Sequence, residues 1–136
     1  MAYLFIGLIP DKKDIYTKLQ EAGYVLVYKQ VTYDGTGKAK GNCDADLVLK
    51  VVRDFYEIKY EQAILITSDG DYAGLVSFLI EKHALCSLIS PSKKCSFLLR
   101  KLNMPLLYLD TKKGVLEHKE KAPSGDRHHK GLFHSE

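Results

Sequence analysis

Cysteine is scarce and unpatterned. Cys43, Cys86 and Cys95 are odd in number, well separated, and form no C-x-x-C. That argues against a disulfide framework and a zinc site and makes a reducing cytoplasm the expected setting. Long hydrophobic runs are missing too. The apolar stretch from Met1 to Ile9 ends at Pro10 and Asp11-Lys12-Lys13, far short of a membrane span, and no basic segment precedes it as in a signal peptide. A soluble intracellular protein with no membrane partner is the expectation. Charge of one sign is not in large excess either: 20 Lys and Arg against 17 Asp and Glu give a net charge of +3, which permits anionic partners without requiring them. No internal repeat is apparent, so solenoids are set aside.

What is present suits one globular domain. An apolar fraction of 46% over 136 residues is enough to bury a substantial core without metals or disulfides as staples. Ala2 to Ile9 is an apolar run closed by Pro10, as in a strand buried on both faces. From Asp11 to Ala22, the spacing of Ile15, Leu19 and Ala22 before Gly23 predicts an amphipathic helix. Tyr24 to Val31, rich in valine and tyrosine, predicts a second strand, and the strand-helix-strand order implies a parallel pair with a right-handed crossover. Thr32 to Cys43 holds Gly35, Gly37 and Gly41 without apolar period and is expected as a loop. Leu47, Val48, Val51, Val52 and Phe55 then recur at helical spacing to about Ile58.

The remainder alternates in the same manner. Gln62 to Thr67 is a predicted strand, Tyr72 to Lys82 a helix with Leu75, Val76, Leu79 and Ile80 inward, and Ala84 to Ser90 a strand. Pro91 to Lys94 turns the chain, Cys95 to Leu102 is a short helix, and Pro105 to Leu109 a last strand. Five strands with helices between them predict an α/β fold, a three-layer α/β/α sandwich around a mainly parallel sheet. Residues 1–116 form that domain. Residues 117–136 are polar, with too little apolar content to offset the entropy of ordering, and are expected as a flexible tail. His118, His128, His129 and His134, spread along it, are read as composition rather than a metal site.

Two acidic joints stand out. Lys40-Gly41-Asn42-Cys43-Asp44-Ala45-Asp46 and Thr67-Ser68-Asp69-Gly70-Asp71-Tyr72 each place aspartates two apart where a loop enters an apolar helical run. In an open parallel sheet, ligands bind beyond the carboxyl ends of the strands. If the strands run parallel, the loops carrying Lys38, Lys40 and Asp44, then Asp69 and Asp71, then Ser92, Lys93 and Lys94 share that edge. Carboxylates around Mg²⁺ or Mn²⁺, rimmed by lysines, suit a phosphodiester substrate.

These residues resemble a known family. Lys40-Gly41-Asn42-Cys43-Asp44, followed by Ile64-Leu65-Ile66-Thr67-Ser68-Asp69-Gly70-Asp71-Tyr72, is similar to the paired signature of NYN domains in the PIN-like ribonuclease superfamily, whose elements read K-G-x-x-D and S-G-D-x-D-F. The resemblance covers roughly residues 2 to 110 and implies a PIN-like, Rossmann-like fold. It implies a metal-dependent endoribonuclease acting on RNA, with Mg²⁺ or Mn²⁺ bound by Asp44, Asp69 and Asp71 and with Asp46 as a fourth ligand. Lys38, Lys40, Lys93 and Lys94 would then contact RNA, and Thr67, Ser68, Asn42 and Ser96 would support the ligands. Thr67-Ser68 stands where the family usually has Ser-Gly. The family's opening strand with D-x-x-N has no match, since Ala2 to Ile9 resembles its second strand. The expectation is a domain truncated at its N-terminus, weak or inactive as a nuclease. Direct pairing of the remaining strands and a homodimer are the alternatives for the sheet, and a non-catalytic RNA-binding or protein-interaction module is the alternative function.

Each residue also has a plainer reading. Asp44 can be a helix N-cap, Asp46 a solvated first-turn carboxylate with Lys50 as its i+4 partner, and Asp69-Gly70-Asp71 a turn. The lysines can be solvated loop charge, Tyr33 can pack on its neighbours rather than stack on a base, and Tyr72, where the resembled family has an aromatic, is read as belonging to the core or supporting the ligands. Cys43 has no histidine near it in sequence to make it a nucleophile. His83 is expected to close its helix.

Overall fold

The computed structural model describes residues 1–40 and 43–117, Gln30 by its backbone alone. Gly41, Asn42 and the histidine-bearing stretch from His118 onward lie outside the described residues, so the expectations placed on them are not addressed.

The chain opens with β1 (Ala2–Leu8), α1 (Lys13–Glu21) and β2 (Tyr24–Gln30), and β1 pairs with β2 in parallel, Phe5 opposite Val27. Pro10 starts a single 3₁₀ turn that leads into α1, consistent with its preset φ and missing N–H. The face of α1 that makes contact is shifted from the expected one, keeping Leu19 but not Ile15. Ile15 is 53% exposed, whereas Tyr16 is half-buried, stacks edge-on against Tyr28, accepts a hydrogen bond from the Ile9 N–H and donates one to the Gly7 carbonyl. A tyrosine brings both ring area and a hydroxyl that can satisfy backbone groups at a strand end, which isoleucine cannot.

The stretch expected as a loop contains a hairpin. β3 (Thr32–Tyr33) and β4 (Ala39–Lys40) pair antiparallel, and Asp34 organises the turn by accepting from the Thr36 N–H, the Thr36 hydroxyl and the Lys38 N–H. Those three donors hold its carboxyl below the ordinary range, the Thr36 hydroxyl first. Local side-chain hydrogen bonding of this kind leaves no apolar period to read.

After α2 (Asp44–Tyr56) come β5 (Ala63–Ile66), α3 (Ala73–Glu81), β6 (Leu85–Ser90), α4 (Phe97–Arg100), β7 (Leu106–Tyr108) and a closing turn of helix, α5 (Lys113–Leu116). β5, β6 and β7 form a second parallel sheet in that order. The α/β class with parallel strands is as expected. Among the described residues, however, the parallel strands are shared between two sheets, beside the short β3–β4 ribbon, and β1 and β5 each have one paired neighbour.

The core gathers on one face of the second sheet. Leu65 and Leu88 stand side by side in the strand register and are buried with Leu75, Val76, Leu79 and Leu99. The expected apolar stripe of α2, from Leu47 to Phe55, packs against this cluster. The next residues along the strands point the other way, and Ile64, Ile66 and Leu107 are about half exposed.

α2 also reaches the first sheet. Lys50 lies over the Tyr3 ring at 4.6 Å, and Asp46 pairs with Lys29 at 3.3 Å. α2 thus touches both sheets, and it presents Asp44 near the carboxyl end of β5.

Helix ends follow one pattern. α1, α2 and α3 are followed by Gly23, Ile58 and His83, all at positive φ. After α2 and α3 the crossed pair of hydrogen bonds is complete: Ile58 N–H to the Phe55 carbonyl with Lys59 N–H to Asp54, and His83 N–H to Ile80 with Ala84 N–H to Leu79. His83 closes its helix as expected, through its backbone.

Candidate metal centre

The site forms where two chain segments meet. The first is the start of α2. Its cap position is Cys43, which makes no side-chain capping bond, and Asp44 is the first helical residue. Asp44 is therefore not the N-cap its residue type suggested. Its carboxylate accepts a hydrogen bond from the phenol of Tyr72 instead.

The second segment follows β5. Thr67 extends the strand by donating its N–H to the Ile89 carbonyl, and its buried hydroxyl accepts the Asp69 N–H at 3.1 Å. The Asp69 carboxylate, through Oδ1, accepts the Asp71 N–H at 2.9 Å and so caps the 3₁₀ turn from Gly70 to Tyr72. Ser96 braces the loop from outside. Its N–H donates to the Ser68 carbonyl at 3.0 Å, its hydroxyl caps α4 at Leu98, and its side chain closes the space beside Gly70. Thr67, Ser68 and Ser96 thus hold the acidic loop in shape.

Asp44, Asp69 and Asp71 each bring a carboxylate oxygen into one group, all within 4.8 Å of one another; Asp44 is half-buried and the other two are exposed. Three carboxylates at that separation repel unless a cation relieves them, and an all-oxygen set suits a hard divalent ion.

Asp46 does not join them. Two residues along an α-helix turn a side chain by roughly 200°, so Asp46 points to the first sheet and pairs with Lys29. Nor does it pair with Lys50, which bonds Asp54 at 2.5 Å.

The four lysines occupy the expected loops or their borders with exposed side chains. Lys38 and Lys40 belong to the β3–β4 hairpin, while Lys93 and Lys94 follow β6, their amides anchored on Asp110 and Ser92. None of the four enters an ion pair among the described residues.

Two groups beside the carboxylates have raised pKa values, chiefly through burial. Tyr72 is 8% exposed, and burial, then its bond to Asp44, pushes the pKa of its phenol far above the ordinary value, so it remains a donor. Burial also raises the Cys43 thiol, and Asp46 adds to the effect, which disfavours the thiolate a nucleophile needs.

Tyr72, expected in the core or supporting the ligands, does both, and its hydroxyl bond to Asp44 is the contact that residue patterns did not specify. The signal was one letter: tyrosine in the position where the resembled signature carries phenylalanine.

Among the described residues no helix is long and apolar enough to cross a membrane. No curated protein and no solved structure gives a significant match to the chain. The family model for the NYN domain matches residues 6–102, more than half of the chain and including both aspartate segments. The chain therefore belongs to the NYN domain family, a nuclease-like family whose nucleases act on RNA and generally depend on a divalent metal.

Proposed function

We propose that the protein is a metal-dependent endoribonuclease domain that hydrolyses RNA phosphodiester bonds, using Mg²⁺ or Mn²⁺ held by Asp44, Asp69 and Asp71. The observation that carries this reading is the meeting of those three carboxylates, from segments separated in sequence, within 4.8 Å. A divalent cation there supplies Lewis acidity toward the phosphodiester and lowers the pKa of the attacking water. The chain's own groups do the rest. Asp69, fixed by Thr67 and by its cap on Asp71, holds its position as the cation enters. Asp44 is oriented by Tyr72. Lys40, and Lys93 across the loop edge, draw in the phosphate backbone by charge, a contribution that weakens with salt.

A second reading, an RNA-binding module of the same fold without catalysis, draws support from Asp46. Its pairing with Lys29 leaves the group at three carboxylates.

Incubating single-stranded RNA with Mn²⁺ and the full chain, beside its Asp69→Asn variant, separates the readings. Cleavage that needs both metal and Asp69 supports the nuclease. Salt-sensitive RNA binding with no cleavage favours the module, and cleavage indifferent to Asp69 or to metal overturns the proposed mechanism.

A further inference from the structure

The acidic site is built from two segments, and a side-chain hydrogen bond ties them: Tyr72 Oη to Asp44 Oδ1, between residues 28 apart in sequence. Tyr72 is 8% exposed and belongs to the buried core with Leu75, Val76 and Leu99, so the bond is anchored at its donor end by packing. The geometry points to Tyr72 as a positioning residue that sets which divalent cation the site prefers. This rests on the reading of Asp44, Asp69 and Asp71 as a metal site.

Asp44 Oδ1 is engaged by the phenol, so chelation through both carboxylate oxygens would compete with that bond. Asp69 is arranged in the same way, with Oδ1 engaged by the Asp71 N–H. Two of the three carboxylates are thus biased toward donating a single oxygen each. Small cations that demand near-octahedral coordination accept one-oxygen carboxylates readily, whereas Ca²⁺ takes more ligands at longer distance and uses bidentate carboxylates freely. Tyr72 holds Asp44 in the one-oxygen mode and so favours Mg²⁺ or Mn²⁺ over Ca²⁺. It acts through Asp44 and touches neither substrate nor reacting atoms.

The test is metal binding by the full chain, with Mn²⁺ and Ca²⁺ each titrated alone by calorimetry, for the parent, Tyr72→Phe and Asp69→Asn. Tyr72→Phe keeps the ring in the core and deletes only the hydroxyl. Its Mn²⁺ affinity is expected to fall roughly tenfold, the size typical of losing a hydrogen-bond partner to a metal ligand. Its Ca²⁺ affinity holds or rises, so the ratio of the two shifts toward Ca²⁺. The ratio is the deciding readout, because partial unfolding lowers both affinities together and leaves it unchanged. A parent that binds Mn²⁺, an Asp69→Asn variant that does not, and a Tyr72→Phe variant with an unshifted ratio would overturn the role of Tyr72 while leaving the metal site standing. A parent that binds neither ion removes the metal site and this inference with it.

Discussion

Gly70 sits against Ser96 so closely that a β-carbon at position 70 would collide with the Ser96 side chain and press on Leu98 at 3.0 Å. The glycine separates the two exposed carboxylates of the acidic loop, and its lack of a side chain is what lets the start of α4 brace that loop. Gly70→Ala is expected to cost about 1–3 kcal/mol, from crowding and from displacing the Ser96 cap on Leu98. Denaturant unfolding measures it. Adding Ser96→Gly to Gly70→Ala recovers part of the loss, because the clash is shared between the two positions.

Asp44 and Asp46 lie two residues apart on one helix, yet they are expected to respond differently to removal of charge. Asp44→Asn lowers Mn²⁺ affinity roughly tenfold or more, since a member of the carboxylate group is lost. Asp46→Asn changes it less than about twofold and breaks the pair with Lys29 instead, an exposed contact of small worth. Equal effects from the two variants would contradict the geometry described for the start of α2.

Asp54 is 7% exposed and faces three cations, Lys50 at 2.5 Å and Arg53 and Lys59 at 3.8 Å, while its buried Oδ1 accepts no hydrogen bond. The bond from Lys50 outweighs burial and holds the carboxyl below its ordinary 3.8. A pKa depressed by folding contributes stability that is complete above the unfolded value and is lost as pH falls through the folded one. Acidification below about pH 4 should therefore weaken the parent more than Asp54→Asn. Urea midpoints of both proteins at pH 7 and pH 3 check this, and parallel losses would contradict it.

Ile58 closes α2 at φ 56° with its side chain 87% exposed. A β-branched residue is strained in that region, and no burial offsets the strain. Ile58→Gly is expected to stabilise the fold by about 1 kcal/mol, measured by thermal or denaturant unfolding, without changing metal binding.

Much of the fold was legible because strand and helix periods are local properties. The stripe from Leu47 to Phe55 and the run from Leu75 to Ile80 announce their buried faces through spacing alone. In α1 the spacing places Leu19 inward correctly, but Ile15 and Tyr16 both fit the stripe, and only the position of Tyr28 and of the Ile9 amide decides between them. The β3–β4 hairpin was illegible because Asp34 builds it from side-chain hydrogen bonds rather than from apolar alternation.

The sequence by itself determined the order of the five parallel strands and the four helices between them, and the placement of aspartates where two loops enter helices. Both follow from residue types at fixed short spacing along the chain. Tertiary structure alone decided that Asp44 meets Asp69 and Asp71 while Asp46 turns away to Lys29, and that the hydroxyl of Tyr72 reaches Asp44 across 28 residues. Those outcomes depend on the rotation of α2 about its axis and on where it crosses the strands. Packing of the whole core sets that rotation, and no local spacing encodes it.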